Sequence, residues 1–310
     1  MTKFIHTGDW QIGKPYLQIK DSQKRFKLQN ERICAIKRIK DITQLEDFDF
    51  ILIAGDLFDS PTPSSSSVVE VLSTIGDIEI PVLAIPGNHD YGGLGTVWYR
   101  DDFIKYNKSL APNFNILLKK QPFELEKAVI LPCPLLRNKD TIDPTIWLRG
   151  LNLKEVSSEK PRIVLAHGGV YTFKGMDYSL ESRSEKRENN YIDLDHLQNG
   201  EIDYFALGDW HNLKEVKENA WYSGTPEADR FNQGEYNNRG QILKVKVSRG
   251  SIPKVTPIST GRIQWHNISY RLNKDEDVEN LEEYIKELTC QRVGSDLLRI
   301  EISGSLSLKG

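Results

Sequence analysis

The chain of 310 residues has the length of about two average domains, which is enough to bury a substantial core without a disulfide or a structural metal. Hydrophobic residues make up 38% and charged residues 27% of the chain, which excludes wholesale disorder, and no apolar run approaches the roughly 18 residues of a membrane-spanning helix. The formal net charge of −3 argues against a protein that is positively charged over its whole surface.

The first predicted elements are a strand at Lys3–Thr7 and a helix from about Ser22 to Leu45. Basic residues are concentrated in and just before this helix: Lys20, Lys24, Arg25, Lys27, Arg32, Lys37, Arg38 and Lys40. Such a stripe can bind phosphates while the molecule as a whole stays acidic, or it can be an ordinary solvated helix face.

Short apolar runs, typical of buried strands, follow along the chain at Phe50–Ala54, Pro81–Ile85, Arg162–Ala166 and Asp203–Leu207. A loop rich in proline and serine comes after the first of them and leads into a helix through about Ile75, with a serine as its predicted cap. Strands that alternate with helices in this way indicate a layered α/β architecture with both faces of the sheet covered.

The pattern changes from about Gln241 onward, where polar and apolar residues alternate as in half-exposed strands. A charged helix is predicted from about Glu276 to Leu288, and a final strand is predicted in LLRIEISGSLSL. We place a domain boundary near Gly261, which divides the chain into residues 1–261 and 262–310.

The cysteines and the N-terminus indicate the cellular compartment. Cys34, Cys133 and Cys290 are an odd number of widely separated residues, which argues against a disulfide scaffold or a thiolate zinc site and favours a reducing environment. Because the first residues enter a strand pattern at once, we expect no signal peptide and a cytoplasmic location.

Polar residues follow the ends of five predicted strands, in the strings FIHTGDWQ, ILIAGDLFD, VLAIPGNHD, IVLAHGG and YFALGDWHN. Because ligands of α/β sheets collect at the carboxyl ends of strands, we expect these residues to meet. They are Asp9, Gln11, Asp56, Asn88, His89, His167, Asp209 and His211. Carboxylates, an amide and imidazoles without cysteine predict a catalytic centre for two divalent metal ions, and the many oxygen atoms favour manganese, or magnesium, over zinc.

These strings, taken in order, resemble the signature of the calcineurin-like metallophosphoesterases: D-x-H, GD, GNH[DE], H and GHxH. Within that family, AGDLFD, PVLAIPGNHD and WYSGTPEADRF are similar to the SbcD-type DNA-repair nucleases. The resemblance implies an α/β sandwich of two mixed sheets flanked by helices. It also implies a small α+β capping domain, cut short here, over residues 262–310.

The resemblance also implies a role for each site residue. Asp56 would bridge two metal ions, one of them also held by Asp9, Gln11 and His211, and the other by Asn88, His167 and Asp209. His89 would protonate the leaving oxygen, and Asp90 would orient its ring. Two positions depart from the family pattern, since Gln11 and Asp209 stand where the signature has histidine. We expect weaker metal binding at Gln11 and a further shift towards oxygen ligands at Asp209.

The implied function is hydrolysis of DNA by a two-metal phosphodiesterase. The implied partners are DNA, an SbcC-type SMC ATPase with a long coiled coil and a second copy of the chain, with no membrane. Candidate DNA contacts are Lys24, Arg25, Lys27 and Tyr91, with Arg183 and Arg187 as weaker ones. Trp10 and Trp210 either pack in the core or stack on nucleobases. The alternatives are a small-substrate nucleotide phosphoesterase and a scaffold subunit with weakened catalysis.

Overall fold

The computed structural model describes residues 1–170, 189–197, 199–231, 238–290, 292 and 294–306. Arg183 and Arg187 lie outside these described residues. The helices are α1 (Ser22–Leu45), α2 (Ser65–Gly76), α3 (Asp101–Leu110) and α4 (Asp277–Leu288). The strands are β1 (Thr2–Thr7), β2 (Phe50–Ile53), β3 (Val82–Ala84), β4 (Phe114–Ile116), β5 (Phe123–Glu124), β6 (Val129–Cys133), β7 (Arg162–His167), β8 (Gly169–Val170), β9 (Tyr191–Ile192), β10 (Tyr204–Gly208), β11 (Lys214–Lys217), β12 (Ala220–Tyr222), β13 (Gln241–Val247), β14 (Lys254–Ser259), β15 (Gln264–Leu272) and β16 (Asp296–Gly304).

Two six-stranded mixed sheets form the body of the molecule. The first has the order β14–β13–β1–β2–β3–β4, in which β1 to β4 are parallel, β13 pairs antiparallel with β1, and β14 pairs antiparallel with β13. The second has the order β11–β12–β10–β7–β6–β5, with parallel strands at its centre and an antiparallel strand at each edge. The predicted α/β sandwich of two mixed sheets is therefore confirmed.

The two sheets pack face to face through aromatic and aliphatic side chains. Phe4 stacks on Phe50 with ring centroids 5.0 Å apart, and both belong to the cluster between the sheets that contains Tyr204. His6 of β1 lies fully buried in this layer, where its ring nitrogens are 3.0 Å from the Tyr204 hydroxyl and 3.2 Å from the Leu207 carbonyl oxygen. Burial lowers the pKa of His6 to about 3, although the bond to Leu207 opposes this, so the ring joins the two sheets as a neutral group.

Helix α1 covers the outer face of the first sheet and begins as predicted. Asp21 caps it by accepting hydrogen bonds from the backbone N–H groups of Gln23 and Lys24. Not all of the basic residues named above lie on the surface, since Arg32 is only 2% exposed. Arg38 is half-buried and forms an ion pair of 2.8 Å with Glu227.

The segment after Gly261 forms a small β–α–β unit. β15 and β16 pair in parallel, and α4 makes the crossover between them. The unit packs on the rest of the chain through Trp265, whose ring stacks on Tyr16 with centroids 6.2 Å apart and meets Phe231 edge-on at 4.8 Å. The division at residue 261 stays a prediction.

Two further observations concern membrane-spanning helices and the cysteines. None of the helices formed by the described residues is both long and apolar enough to cross a membrane. Cys34, Cys133 and Cys290 are free thiols.

Candidate metal centre

The predicted site residues come together where strands of both sheets end. Asp9 and Gln11 follow β1, Asp56 follows β2 and Asn88 follows β3 in the first sheet, whereas His167 ends β7 in the second. Backbone bonds join the loops, with the Asp9 N–H 3.1 Å from the Gly55 carbonyl and the Gln11 N–H 2.8 Å from the Asp56 carbonyl. Oxygens of Asp9 and Asp56 and a ring nitrogen of His167 all lie within 4.8 Å of one another, as a metal site requires.

The backbone at these loops adopts an uncommon conformation. Asp9, Gln11 and Asp56 have φ angles of 52°, 42° and 53°, and Asp209 has φ of 100°. Positive φ costs a non-glycine residue about 1–3 kcal/mol, so such positions persist only where surrounding bonds hold them, often at functional sites. The neighbouring Gly55, with φ of 87°, leaves space for His167, because a Cβ there would lie 2.3 Å from His167 Nδ1.

One group of side chains, which we call the His167 position, surrounds the Nε2 atom of His167. Asn88 Oδ1 lies 2.9 Å from this nitrogen, and Asp56 Oδ1 and Asp209 Oδ1 each lie 3.7 Å from it. A cation with bonds of about 2.1 Å places adjacent ligand atoms about 3.0 Å apart and opposite ones about 4.2 Å apart. The His167 position therefore fits one divalent cation.

The electrostatics of the His167 position also suit a cation. His167 is fully buried, and its Nδ1 lies 2.7 Å from the carbonyl oxygen of Ala54. Burial alone would lower its pKa, but the charges of Asp56, Asp9 and Asp209 outweigh that effect and raise the pKa to about 9. These carboxylates therefore favour a positive charge beside His167.

A second group, Asp9, Gln11, Asp56 and His211, forms the His211 position. The Nε2 atom of His211 lies 3.9 Å from Asp9 Oδ1. On the other side of the ring, Nδ1 lies 2.9 Å from Asp229 Oδ2, which fixes the ring orientation. Burial raises the pKa of Asp9 to about 6 against the opposing effects of His211 and His167.

Lys14 determines which way the amide of Gln11 faces. The Lys14 ammonium can only donate hydrogen bonds, and it lies 2.6 Å from Gln11 Oε1. The amide nitrogen therefore faces the site, 3.4 Å from Asp56 Oδ2 and 3.3 Å from His211 Nε2. The amide oxygen of Gln11, its only ligating atom, therefore faces Lys14 and not the other predicted ligands, which differs from the orientation expected of a metal ligand.

His89 lies at the opening of the site, with its side chain 39% exposed. Its backbone N–H donates to Asp56 Oδ1 at 2.9 Å, and its ring Nδ1 lies 3.1 Å from the carbonyl oxygen of Asp59. Asp90 does not orient this ring, contrary to the prediction. Its carboxylate accepts hydrogen bonds from the backbone N–H groups of Phe58, at 3.0 Å, and Gly87, at 2.8 Å, and so fixes the GNHD loop against the loop after β2.

The sequence interpretation missed two residues that support the site. Arg32 is buried beneath the loop after β1 and donates to the carbonyl oxygens of Trp10, at 2.6 Å, and Asp9, at 2.8 Å. A signal for it exists, since Arg32 falls on the buried face of α1 between Leu28 and Ile36. Asp229, which holds His211, lies in the string WYSGTPEADRF that the resemblance singled out without giving it a role.

The remaining predicted residues lie around this centre or on α1. Tyr91 is half-buried on the loop after Asp90, and Lys24 is exposed. The guanidinium of Arg25 bonds to the carbonyl oxygens of residues 19 and 20, at 2.7 and 2.9 Å, and Lys27 bonds to the carbonyl of residue 294. Trp10 is 1% exposed and belongs to the core, so it does not stack on nucleobases.

Two solved structures resemble the fold only distantly. One is described as GAP50, the anchor in the inner membrane complex of Plasmodium, with a TM-score of 0.44, 16% identity, and coverage of 83% of this chain and 88% of that one. The other is the Haemophilus influenzae NAD nucleotidase NadN, with a TM-score of 0.40, 12% identity, and coverage of 96% of this chain and 57% of that one. Neither likeness carries an argument about function.

Sequence comparisons are more informative. The DNA double-strand break repair protein Mre11 of Saccharolobus solfataricus is 26% identical over 215 residues, which are 68% of this chain and 50% of that protein. The chain thus spans about half the length of this curated relative. The sequence profile of the calcineurin-like phosphoesterases matches residues 2–239, which include every predicted site residue. The chain therefore belongs to the calcineurin-like phosphoesterase family.

Proposed function

We propose that this protein is a divalent-metal-dependent phosphodiesterase that hydrolyses DNA, as the nuclease subunit of an SbcC/SbcD-like repair or defence complex. The observation that carries the proposal is the His167 position, where oxygen and imidazole ligands from both sheets surround one point. His89 lies beside it, partly exposed, where a phosphate can reach its ring.

Asp56, Asn88, His167 and Asp209 would hold the cation, which when bound supplies positive charge to the phosphate oxygens during attack. His89 would donate the proton that the leaving oxygen requires. Its Nδ1 lies 3.1 Å from the carbonyl oxygen of Asp59, which can only accept a hydrogen bond, so Nε2 is the ring atom that would donate this proton. This nitrogen lies 3.9 Å from Asp56 Oδ2, and therefore next to the cation ligands.

DNA is the proposed substrate because the motifs are similar to SbcD-type nucleases and because the curated relative is a DNA double-strand break repair protein. Lys24, Arg25, Lys27 and Tyr91 are the proposed DNA contacts. Manganese is the proposed ion, because oxygen atoms supply most of the ligands. We also propose an SMC-type ATPase as partner, a homodimeric assembly, a cytoplasmic location and a capping role for residues 262–310.

The test is cleavage of linear and circular DNA in the presence of Mn²⁺. We expect cleavage that stops when the metal is chelated, and a loss of about 100-fold in H89A with its metal content retained. H196A is the matched control, because His196 is an exposed histidine paired with Asp193. Unchanged cleavage in H89A would remove this residue from the mechanism.

The same assay addresses the rival functions. Rapid hydrolysis of nucleotides or a chromogenic diester without DNA cleavage would identify a small-substrate phosphoesterase. A catalytically weakened scaffold is favoured by one observation, the amide nitrogen of Gln11 that faces the His211 position. Metal binding without hydrolysis of any of these substrates would support that function.

A further inference from the structure

The two metal positions differ in the atoms that face them. At the His167 position, oxygen atoms of Asn88, Asp56 and Asp209 surround a ring nitrogen of His167, and all can act as ligands. At the His211 position, the amide nitrogen of Gln11 lies among the predicted ligands. An amide NH2 group has two hydrogens to donate and no lone pair available for a cation.

The Gln11 amide makes contacts that a cation at the His211 position would make. It lies 3.4 Å from Asp56 Oδ2 and 3.3 Å from His211 Nε2, and both of these atoms would have to bind the ion. Gln11 can act as a ligand here only if its amide rotates by about half a turn and presents its oxygen. That rotation breaks the 2.6 Å bond to Lys14 and turns the NH2 group towards an ammonium.

Lys14 is held by more than this one bond. Its ammonium lies 3.4 Å from Asp229 Oδ2 and 3.7 Å from Asp59 Oδ1, and only 21% of the side chain is exposed. Asp229 also holds His211, so a single carboxylate oxygen serves the lysine and the histidine. The positive charge of Lys14 thus already balances carboxylates at this side of the site.

We propose that this chain binds a single divalent cation, at the His167 position, and that Gln11 and Lys14 together take the place of a second one. The inference rests on the proposed metal-dependent function and refines it to a mononuclear site. Lys14 acts here as a positioning residue, because it acts through the orientation of the Gln11 amide.

The number and coupling of bound ions test this proposal directly. Metal-free protein is equilibrated with Mn²⁺ alone, and the bound metal is measured by mass spectrometry, calorimetry and electron paramagnetic resonance. We expect one magnetically isolated ion in the wild type, and two exchange-coupled ions in Q11H. In K14M the amide is free to rotate, so binding of a second ion should tighten by about 10- to 100-fold. K105M, which changes an exposed lysine of α3, should match the wild type.

The outcomes separate this inference from the proposed function. Two ions in the wild type with affinities within about tenfold of each other, or an exchange-coupled spectrum, would overturn the single-cation proposal and leave the metal-dependent function standing. Absence of any bound ion in the wild type would contradict the proposed function itself. Loss of the ion in H167A is expected, and retention of a tightly bound ion in that variant would show that the chosen position is wrong.

Discussion

Replacement of Arg32 by methionine should destabilise the protein and loosen the metal centre together. Arg32 is buried, and its guanidinium donates to the carbonyl oxygens of Trp10 and Asp9 and to the hydroxyl of Tyr16. These bonds fix the loop after β1 in its positive-φ conformation. Methionine has similar length and fills the space, but it donates no hydrogen bond.

The magnitude follows from the bonds that are lost. Hydrogen bonds from a charged donor contribute about 1.5–3 kcal/mol each, so the two short bonds to backbone carbonyls amount to about 3–6 kcal/mol. The Asp9 carbonyl keeps the hydroxyl of Thr225 as a donor at 2.9 Å, and the variant no longer has a guanidinium to desolvate. We therefore expect the lower end of this range, a decrease of about 3 kcal/mol in the free energy of unfolding.

The assay is urea unfolding of the metal-free protein, followed by titration with Mn²⁺ to measure affinity. We expect the Mn²⁺ affinity of R32M to fall by about tenfold, because the loop after β1 then relaxes and its backbone bonds to Gly55, at 3.1 Å, and Asp56, at 2.8 Å, no longer hold the proposed ligand Asp56 in place. R271M is the matched control, since Arg271 is exposed on β15. An unfolding free energy of R32M within about 0.5 kcal/mol of the wild type would refute the role of this arginine.

Three other perturbations test separate parts of the molecule. Neutralising Lys24, Arg25 and Lys27 together should weaken DNA binding and lower the slope of log affinity against log salt by up to about 3, measured by fluorescence anisotropy. Acidification from pH 6.5 to pH 5 should lower the free energy of unfolding by about 2 kcal/mol through His6, because this histidine binds a proton in the unfolded chain but, with a pKa of about 3, not in the folded one. The H6Q variant should lose this part of the pH dependence. D90N should destabilise the protein by about 1–3 kcal/mol in thermal or urea unfolding, because an amide NH2 replaces one oxygen that accepts a buried backbone N–H.

Each of these has an outcome that contradicts it. If the salt dependence of DNA affinity were unchanged, the basic residues at the start of α1 would not contact DNA phosphates. If the stability of H6Q depended on pH in the same way as that of the wild type, His6 would not be a buried neutral ring. For Asp90, the control is D77N at an exposed aspartate, and equal stability of the two variants would contradict the bonds to the GNHD loop.

The fold was predictable where apolar runs are continuous and less so elsewhere. The bounds of four elements lie within a residue or two of the prediction: helix α1 and strands β2, β7 and β10. The three strands are continuous apolar runs because both of their faces are buried. Helix α3 was not predicted, since Phe103 is its only buried residue among ten and the pattern is correspondingly weak. Strand β6 was missed as well, because a proline interrupts its short run.

The site was predictable in its residue types and not in their orientation. The strings after the strands identified Asp56, Asn88 and His167, because parallel strands bring their carboxyl ends to one edge. The direction of the Gln11 amide depends on Lys14, whose role emerges only when the loop is folded. The bond between His211 and Asp229 likewise depends on a tertiary turn that no local pattern specifies.

Because the His167 position takes Asp56 and Asn88 from one sheet and His167 and Asp209 from the other, a bound ion would act as a clamp across the sandwich. Such an ion binds the folded chain and loses its site when the sheets separate, so occupancy and resistance to unfolding are thermodynamically linked. At a metal concentration about 100 times the dissociation constant, this linkage adds about 2.7 kcal/mol to stability. Depletion of the metal would therefore lower the free energy of unfolding together with the proposed metal-dependent activity.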